Sequence, residues 1–130
     1  TEVGGLARYE NDYYHQVSKD VEAVPGNPWF ICTMWLAQWY VAKAVKVADL
    51  TPAKELMEWV VDRALPSGTL AEQVDPYSNA PMSVSPLTWS HATYIALFRE
   101  YLTKYRELVT GRRRSQENQA AAGRNGPVVL

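Results

Sequence analysis

The chain has 130 residues, 47% of them hydrophobic and 21% charged, the composition of one folded domain of modest core and not of a disordered segment. Its net charge of −1 provides no overall field to draw it to nucleic acid or to a membrane surface. A single cysteine, Cys32, excludes a disulfide within the chain and is compatible with a cytoplasmic setting; lying in an apolar run, it reads as a packed thiol and not as a nucleophile. No apolar run reaches the roughly 18 residues that span a bilayer, and the opening Thr-Glu-Val-Gly-Gly has neither the basic start nor the apolar centre of a secretory signal. The first residue is not methionine, so a piece processed or excised from something longer is expected.

Residues Thr1 to Pro25 show no sustained period but gather Arg8, Tyr9, Glu10, Asn11, Asp12, Tyr13, Tyr14 and His15. Such a cluster is either a ligand wall, with tyrosines supplying flat faces and Arg and Asp fixed donors and acceptors, or a surface loop packed on a neighbouring helix. At Asn27-Pro28 a favoured cap and a favoured first helical residue precede Trp29 to Ala48, which contains no proline or glycine. Apolar residues cover nearly every face of this segment, predicting a helix buried between other layers. Thr51-Pro52 repeats the start. Up to Ala64 it sets Ala53, Leu56, Met57, Val60, Val61 and Ala64 on one face, with Lys54, Glu55, Glu58, Asp62 and Arg63 on the other, as in a helix covering a core from outside.

Leu65 to Val84 exceeds the roughly 12–15 residues beyond which a structureless connection in a compact domain usually has a function. It carries Glu72 between a Pro-Ser-Gly turn and Asp-Pro, two stretches of restricted backbone. A carboxylate on such a held loop is a candidate general base; the alternative is a solvated loop glutamate. Ser85-Pro86 makes the helix start a third time, and Trp89, Ala92, Tyr94, Ile95, Phe98, Tyr101, Leu102, Tyr105 and Leu108 predict a helix to about Val109, most buried at the end next to Glu72. Residues 1–110 form the expected folded unit. Residues 111–130 are poor in large apolar side chains and read as a flexible tail, with Arg112 to Arg114 a solvated helix end favoured by the helix dipole and not a nucleic-acid contact. The fold class is all-α. Three helices in the order buried, covering, buried cannot close an alternating inner and outer arrangement, so the chain is expected to self-associate through exposed apolar helix faces or to form part of a larger helical barrel.

Three blocks carry a family resemblance: Arg8-Tyr9-Glu10-Asn11-Asp12-Tyr13-Tyr14, Gly26-Asn27-Pro28-Trp29-Phe30-Ile31-Cys32-Thr33, and Ala71-Glu72-Gln73 followed by Ser83 and Leu87-Thr88-Trp89-Ser90-His91. In that order the chain, over roughly Gly5 to Ala96, resembles the C-terminal part of a glucoamylase-type glycoside hydrolase of family 15, which includes glucoamylases, glucodextranases and some trehalases. The resemblance implies an (α/α)₆ barrel and an inverting reaction, in which one carboxyl group protonates the departing oxygen and another activates water from the opposite face. Glu72 matches the general base and Gln73 its supporting neighbour. Ser83 matches a serine whose hydroxyl can bond the base, a contact that favours a carboxylate in its charged form. Arg8, Asp12 and Tyr14 match positions lining the sugar subsites. Trp29 matches an aromatic that is either subsite wall or core, and Trp89 a packing residue near the base.

Nothing matches the family's general acid, with Glu10, Asp12 and Asp75 each at the wrong place in the motifs, so the isolated chain is expected to be inactive. His15 and His91 receive no catalytic role, and no cofactor or metal is expected. The substrate implied is an α-linked glucose oligosaccharide. Trehalose is the alternative, and a non-catalytic helical module for sugar binding or assembly is a third reading of a different class.

Overall fold

No glycine or proline interrupts the chain after Pro28 until Pro52, and the backbone turns helical one residue past Trp29: α1 spans Phe30–Lys43. The computed structural model describes the backbone of residues 2–124 and the side chains of residues 2–111. After a short 3₁₀ turn, Val47–Leu50, come α2 at Thr51–Asp62, the hairpin strands β1 at Gln73–Val74 and β2 at Pro81–Met82, and α3 at Thr88–Arg124. Three helices and one small hairpin among the described residues make the chain all-α in class, as its periodicity predicts.

α1 is the central element and packs against both α2 and α3. Its buried face, Phe30, Ile31, Met34, Ala37 and Val41, meets Ala53, Met57 and Val60 of α2 and Leu97 of α3 in one core cluster. Each large side chain so enclosed contributes about 1.5–3 kcal/mol of transfer free energy. Tyr94, Tyr101 and Leu108 extend this packing along α3.

Several helix boundaries differ from those predicted. α1 stops at Lys43 and not at Ala48 because the Asp49 carboxylate accepts from the backbone N–H groups of Val45 and Lys46, both at 3.1 Å, and so withdraws them from a helical ladder. Asn27 caps nothing; Trp29 is the capping residue, without a side-chain bond. Thr51 lies inside α2, with Leu50 before it. Ser85-Pro86, joined by a cis peptide, precedes the start of α3 at Thr88. α3 then runs beyond Val109, through Gly111, to Arg124. Gly111 and Gly123 each cost the helix about 1 kcal/mol, and the arginines, glutamines, glutamate and alanines between them are strong helix formers. The segment assigned to a tail is thus helical in backbone to Arg124, while the side chains of Arg112 to Arg114 and all of residues 125–130 lie outside the described residues.

The faces also differ. α1 is covered on two sides only, leaving Trp35 and Trp39 about half exposed at 48% and 54%. Trp89, Ile95 and Phe98 are likewise exposed on α3, while Ser90, Thr93 and Leu97 turn inward. Arg63, expected on the outer face of α2, folds back over the Trp59 ring at 4.3 Å. There it donates to the Val3 carbonyl at 2.9 Å, alongside the Trp59 indole at 2.7 Å.

These two hydrogen bonds to the Val3 carbonyl secure the N-terminal segment, which approaches Trp59 so closely that Gly5 has no room for a side chain. The segment continues into an extended strip in which Leu6, Trp29, Gln73 and Met82 lie side by side. Four distant parts of the chain meet there, and each brings one part of the site described next.

Candidate active site

Successive side chains of an extended segment point to opposite faces. Ala71 and Gln73 are fully buried, so Glu72 between them turns outward, half-buried. Its backbone is held on both sides: the Glu72 N–H donates to the Val84 carbonyl at 2.9 Å, and its carbonyl accepts from the Phe30 N–H at 3.2 Å. The loop between α2 and α3 is therefore not structureless. Its hairpin is closed by Asp75, whose carboxylate accepts from the N–H groups of Ser78 and Tyr77 at 2.8 and 2.9 Å and is held below the usual carboxylate range, chiefly by the Ser78 bond.

Ser83 Oγ donates to Glu72 Oε2 at 2.5 Å and Gln73 Nε2 donates to the same oxygen at 3.2 Å. Gln73 is itself oriented, because its Oε1 accepts from Asn27 Nδ2 at 2.7 Å. Asn27 Nδ2 also donates to the His15 carbonyl, and Asn27 Oδ1 accepts from the Val17 N–H. The Asn-Pro pair that reads as a helix start in sequence thus serves as a buried anchor joining the N-terminal loop to the glutamate. Among the described residues no donor reaches Glu72 Oε1.

Glu72 lines a cleft of about 400 Å³ with Arg8, Tyr14, Trp29, Ile31, Cys32, Trp35 and Trp89. Arg8 is fixed by a two-point bond to Asp12, Nε to Oδ2 at 2.8 Å and Nη2 to Oδ1 at 2.7 Å, and lies over the rings of Trp29 and Tyr14 at 4.5 and 4.9 Å. Asp12 is fully enclosed behind it and accepts in addition from the Tyr14 N–H at 3.1 Å. The Arg8 bond holds the Asp12 carboxyl below the usual carboxylate range against the opposing effect of burial, and Asp12 in turn raises the Arg8 guanidinium further. Asp12 contributes no atom to the cleft wall; Arg8 carries its charge there.

Of the residues singled out in the sequence, Arg8, Tyr14, Trp29 and Glu72 meet in one cleft, joined by Trp89, which is exposed there and not buried as a packing residue, with Gln73 and Ser83 behind the carboxylate. Trp29 belongs to both wall and core. It is 4% exposed, and its indole N–H is buried without a partner among the described residues. Trp35, Cys32 and Ile31 were not read as site residues. The signal was present, since Cys32 and Trp35 are three apart on one helix face, but the apolar character of every face of the segment concealed it. Trp35 packs edge-on against Trp89 at 5.8 Å, so both tryptophans form the far wall. Burial pushes the Cys32 thiol up, which keeps it protonated, as befits a packed thiol. His15 meets Tyr14 edge-on outside the lining, and His91 faces elsewhere.

A wider groove of about 500 Å³ lies between α1 and α3, edged by Gln38, Arg99, Glu100 and Lys104. Its charged side chains are on the surface, with Gln38 donating to Glu100, and it brings no buried polar group to a ligand. The smaller cleft contains the held carboxylate. Among the described residues no three His, Cys, Asp or Glu side chains gather as metal ligands, and no helix is long and apolar enough to cross a membrane.

The sequence profile of glycosyl hydrolases family 15 matches residues 1–99. The chain belongs to glycosyl hydrolase family 15. It is also 34% identical, over 102 residues, to an uncharacterized glycosyl hydrolase of Methanocaldococcus jannaschii, a match covering 72% of this chain but only 15% of that protein. No solved structure gives a significant match. The family 15 match takes in every residue of the cleft.

Proposed function

We propose that this chain is the base-carrying, C-terminal part of an inverting family 15 hydrolase whose (α/α)₆ barrel is completed by further polypeptide, and that it acts on α-linked glucose units. Glu72 is the general base. Ser83 and Gln73 fix one of its oxygens, and the other takes the proton of the attacking water. Arg8 supplies donors for sugar hydroxyls, Tyr14 gives an aromatic face for a ring, Trp29 backs the wall beneath Arg8, and Asp12 acts through Arg8. The reading rests on one observation, a carboxylate in an aromatic cleft with one oxygen held by two donors and the other without any among the described residues.

Glu72 is the one carboxylate lining this cleft among the described residues, so the proton for the departing oxygen comes from outside them, and the chain alone is inert. The exposed faces bearing Trp35, Trp39, Ile95 and Phe98 are covered by the rest of the barrel or by a second copy. Residues 1–110 belong to the catalytic unit, with the remainder as an appendage to it.

Assay of the complete polypeptide on maltose and on trehalose, with the anomer of the released glucose followed by NMR, tests this reading. Hydrolysis with inversion is expected, falling about 10²–10⁴-fold in Glu72→Gln. Full activity in that variant, or retention of configuration, overturns it. The maltose to trehalose ratio assigns the substrate, and sugar binding with no turnover by the complete polypeptide would favour a non-catalytic module.

A further inference from the structure

His91 lines a separate cavity of about 190 Å³ with Val60, Val61, Ala64, Gly68, Leu70 and Tyr94 and contributes nothing to the Glu72 cleft. Its Nε2 nevertheless accepts from the Leu70 backbone N–H at 3.0 Å. This requires the neutral ring with its proton on Nδ1. Leu70 is 5% exposed and Ala71 fully buried, and without the imidazole this N–H has no other protein acceptor among the described residues. Two further bonds join the same stretch to the start of α3: the Leu87 N–H donates to the Leu70 carbonyl at 3.0 Å, and Ser90 Oγ to the Ala71 carbonyl at 2.8 Å.

We propose that His91 is a positioning residue for Glu72, setting the backbone of Leu70 and Ala71 against α3 so that the carboxylate two residues on faces the cleft. The proposal rests on Glu72 being the base. Ser90 secures the carbonyl side of the stretch and His91 the N–H side. Without the latter, the two residues before Glu72 pivot about the bonds that remain, and the carboxylate loses its alignment with Ser83. Displacement of a reacting group by about 1 Å costs catalysis up to about 10²-fold.

Replacements of different reach test this. Glutamine can place a carbonyl oxygen where Nε2 stands, asparagine only where Nδ1 stands, and leucine offers no acceptor. In the complete polypeptide, His91→Leu and His91→Asn are expected to lower kcat about 10–100-fold with little change in KM, and His91→Gln to restore most of it. In the chain itself, hydrogen exchange at the Leu70 amide should quicken about tenfold in His91→Leu relative to His91→Gln, as expected for a lost buried bond. Equal kcat in all three variants overturns the proposal, as does equal Leu70 exchange. Failure of the base reading looks different: Glu72→Gln retains activity while the Leu70 exchange difference persists.

Discussion

The Ser83 hydroxyl reaches Glu72 Oε2 at 2.5 Å from a backbone in the left-handed region, φ 64°. A non-glycine residue held there costs of order 1 kcal/mol and persists only where its surroundings fix it. The conformation turns the chain out of β2 and aims Oγ at the carboxylate.

Ser83→Gly relieves the backbone but removes the hydroxyl, so stability and activity should part. The thermal midpoint is expected to hold or rise slightly, while kcat of the complete polypeptide falls about 10–100-fold, the equivalent of the 1.5–3 kcal/mol of a bond to a charged group. Circular dichroism melts and glucose release check the two arms.

The Arg8–Asp12 pair links acid stability to the cleft. A carboxyl whose folded-state value lies below its ordinary one stabilises the fold above pH of about 4. That contribution is lost as pH falls through the folded-state value. Asp12 and Asp75 both shift in this direction, so the chain should lose stability progressively below about pH 4, and Asp12→Asn should flatten that decline. Arg8→Met leaves an enclosed carboxylate unpaired and is expected to cost about 3 kcal/mol at neutral pH. Urea titrations between pH 2 and 7 report both effects.

Gly5 and Gly68 share a backbone φ of 77° but not their surroundings. A Cβ on Gly5 meets Trp59 Cζ2 at 2.6 Å and Pro28 Cβ at 2.9 Å, whereas one on Gly68 meets nothing within 4 Å. Gly68→Ala should cost only the backbone penalty of about 1–2 kcal/mol. For Gly5→Ala the clash adds to that penalty, for about 3 kcal/mol or more, and it disturbs the Leu6–Trp29 pairing that leads to Arg8. Denaturant midpoints of the two variants, measured side by side, give the difference.

Cys32 shares the cleft with Arg8, yet burial raises its thiol above the ordinary value. A disulfide reagent should therefore react more slowly with it at pH 8 than with a small free thiol, and its rate should continue to rise at pH values where the free thiol has levelled off. Once modified, the cleft is filled, so sugar binding by the complete polypeptide should be lost; Cys32→Ser serves as the unreactive control.

The existence and order of the three helices were legible because apolar spacing is local: Ala53, Met57 and Val60 point one way on any α2. The acid-bearing loop and its motif neighbours were legible too, since Glu72-Gln73, Ser83 and the Arg8 block keep their spacing in the chain. Less legible were the roles of Asn27, Arg63 and Asp49. Each takes part in a bond that competes with the local reading, Asn27 with Gln73 across 46 residues, Arg63 with Val3 across 60, and Asp49 with the N–H groups that would have continued α1.

By itself the sequence determined that this is an all-α chain of glycosyl hydrolase type with one conspicuous carboxylate, because helix periodicity and motif order are properties of neighbouring residues. Only the tertiary structure decided that Asp12 stands behind Arg8 and out of the cleft, that Trp35 and Trp89 form its far wall, and that His91 accepts from the Leu70 N–H two residues before Glu72. Those relations depend on how α1, the N-terminal segment and the start of α3 converge, and the distances between such remote segments are set by packing, which no local pattern encodes.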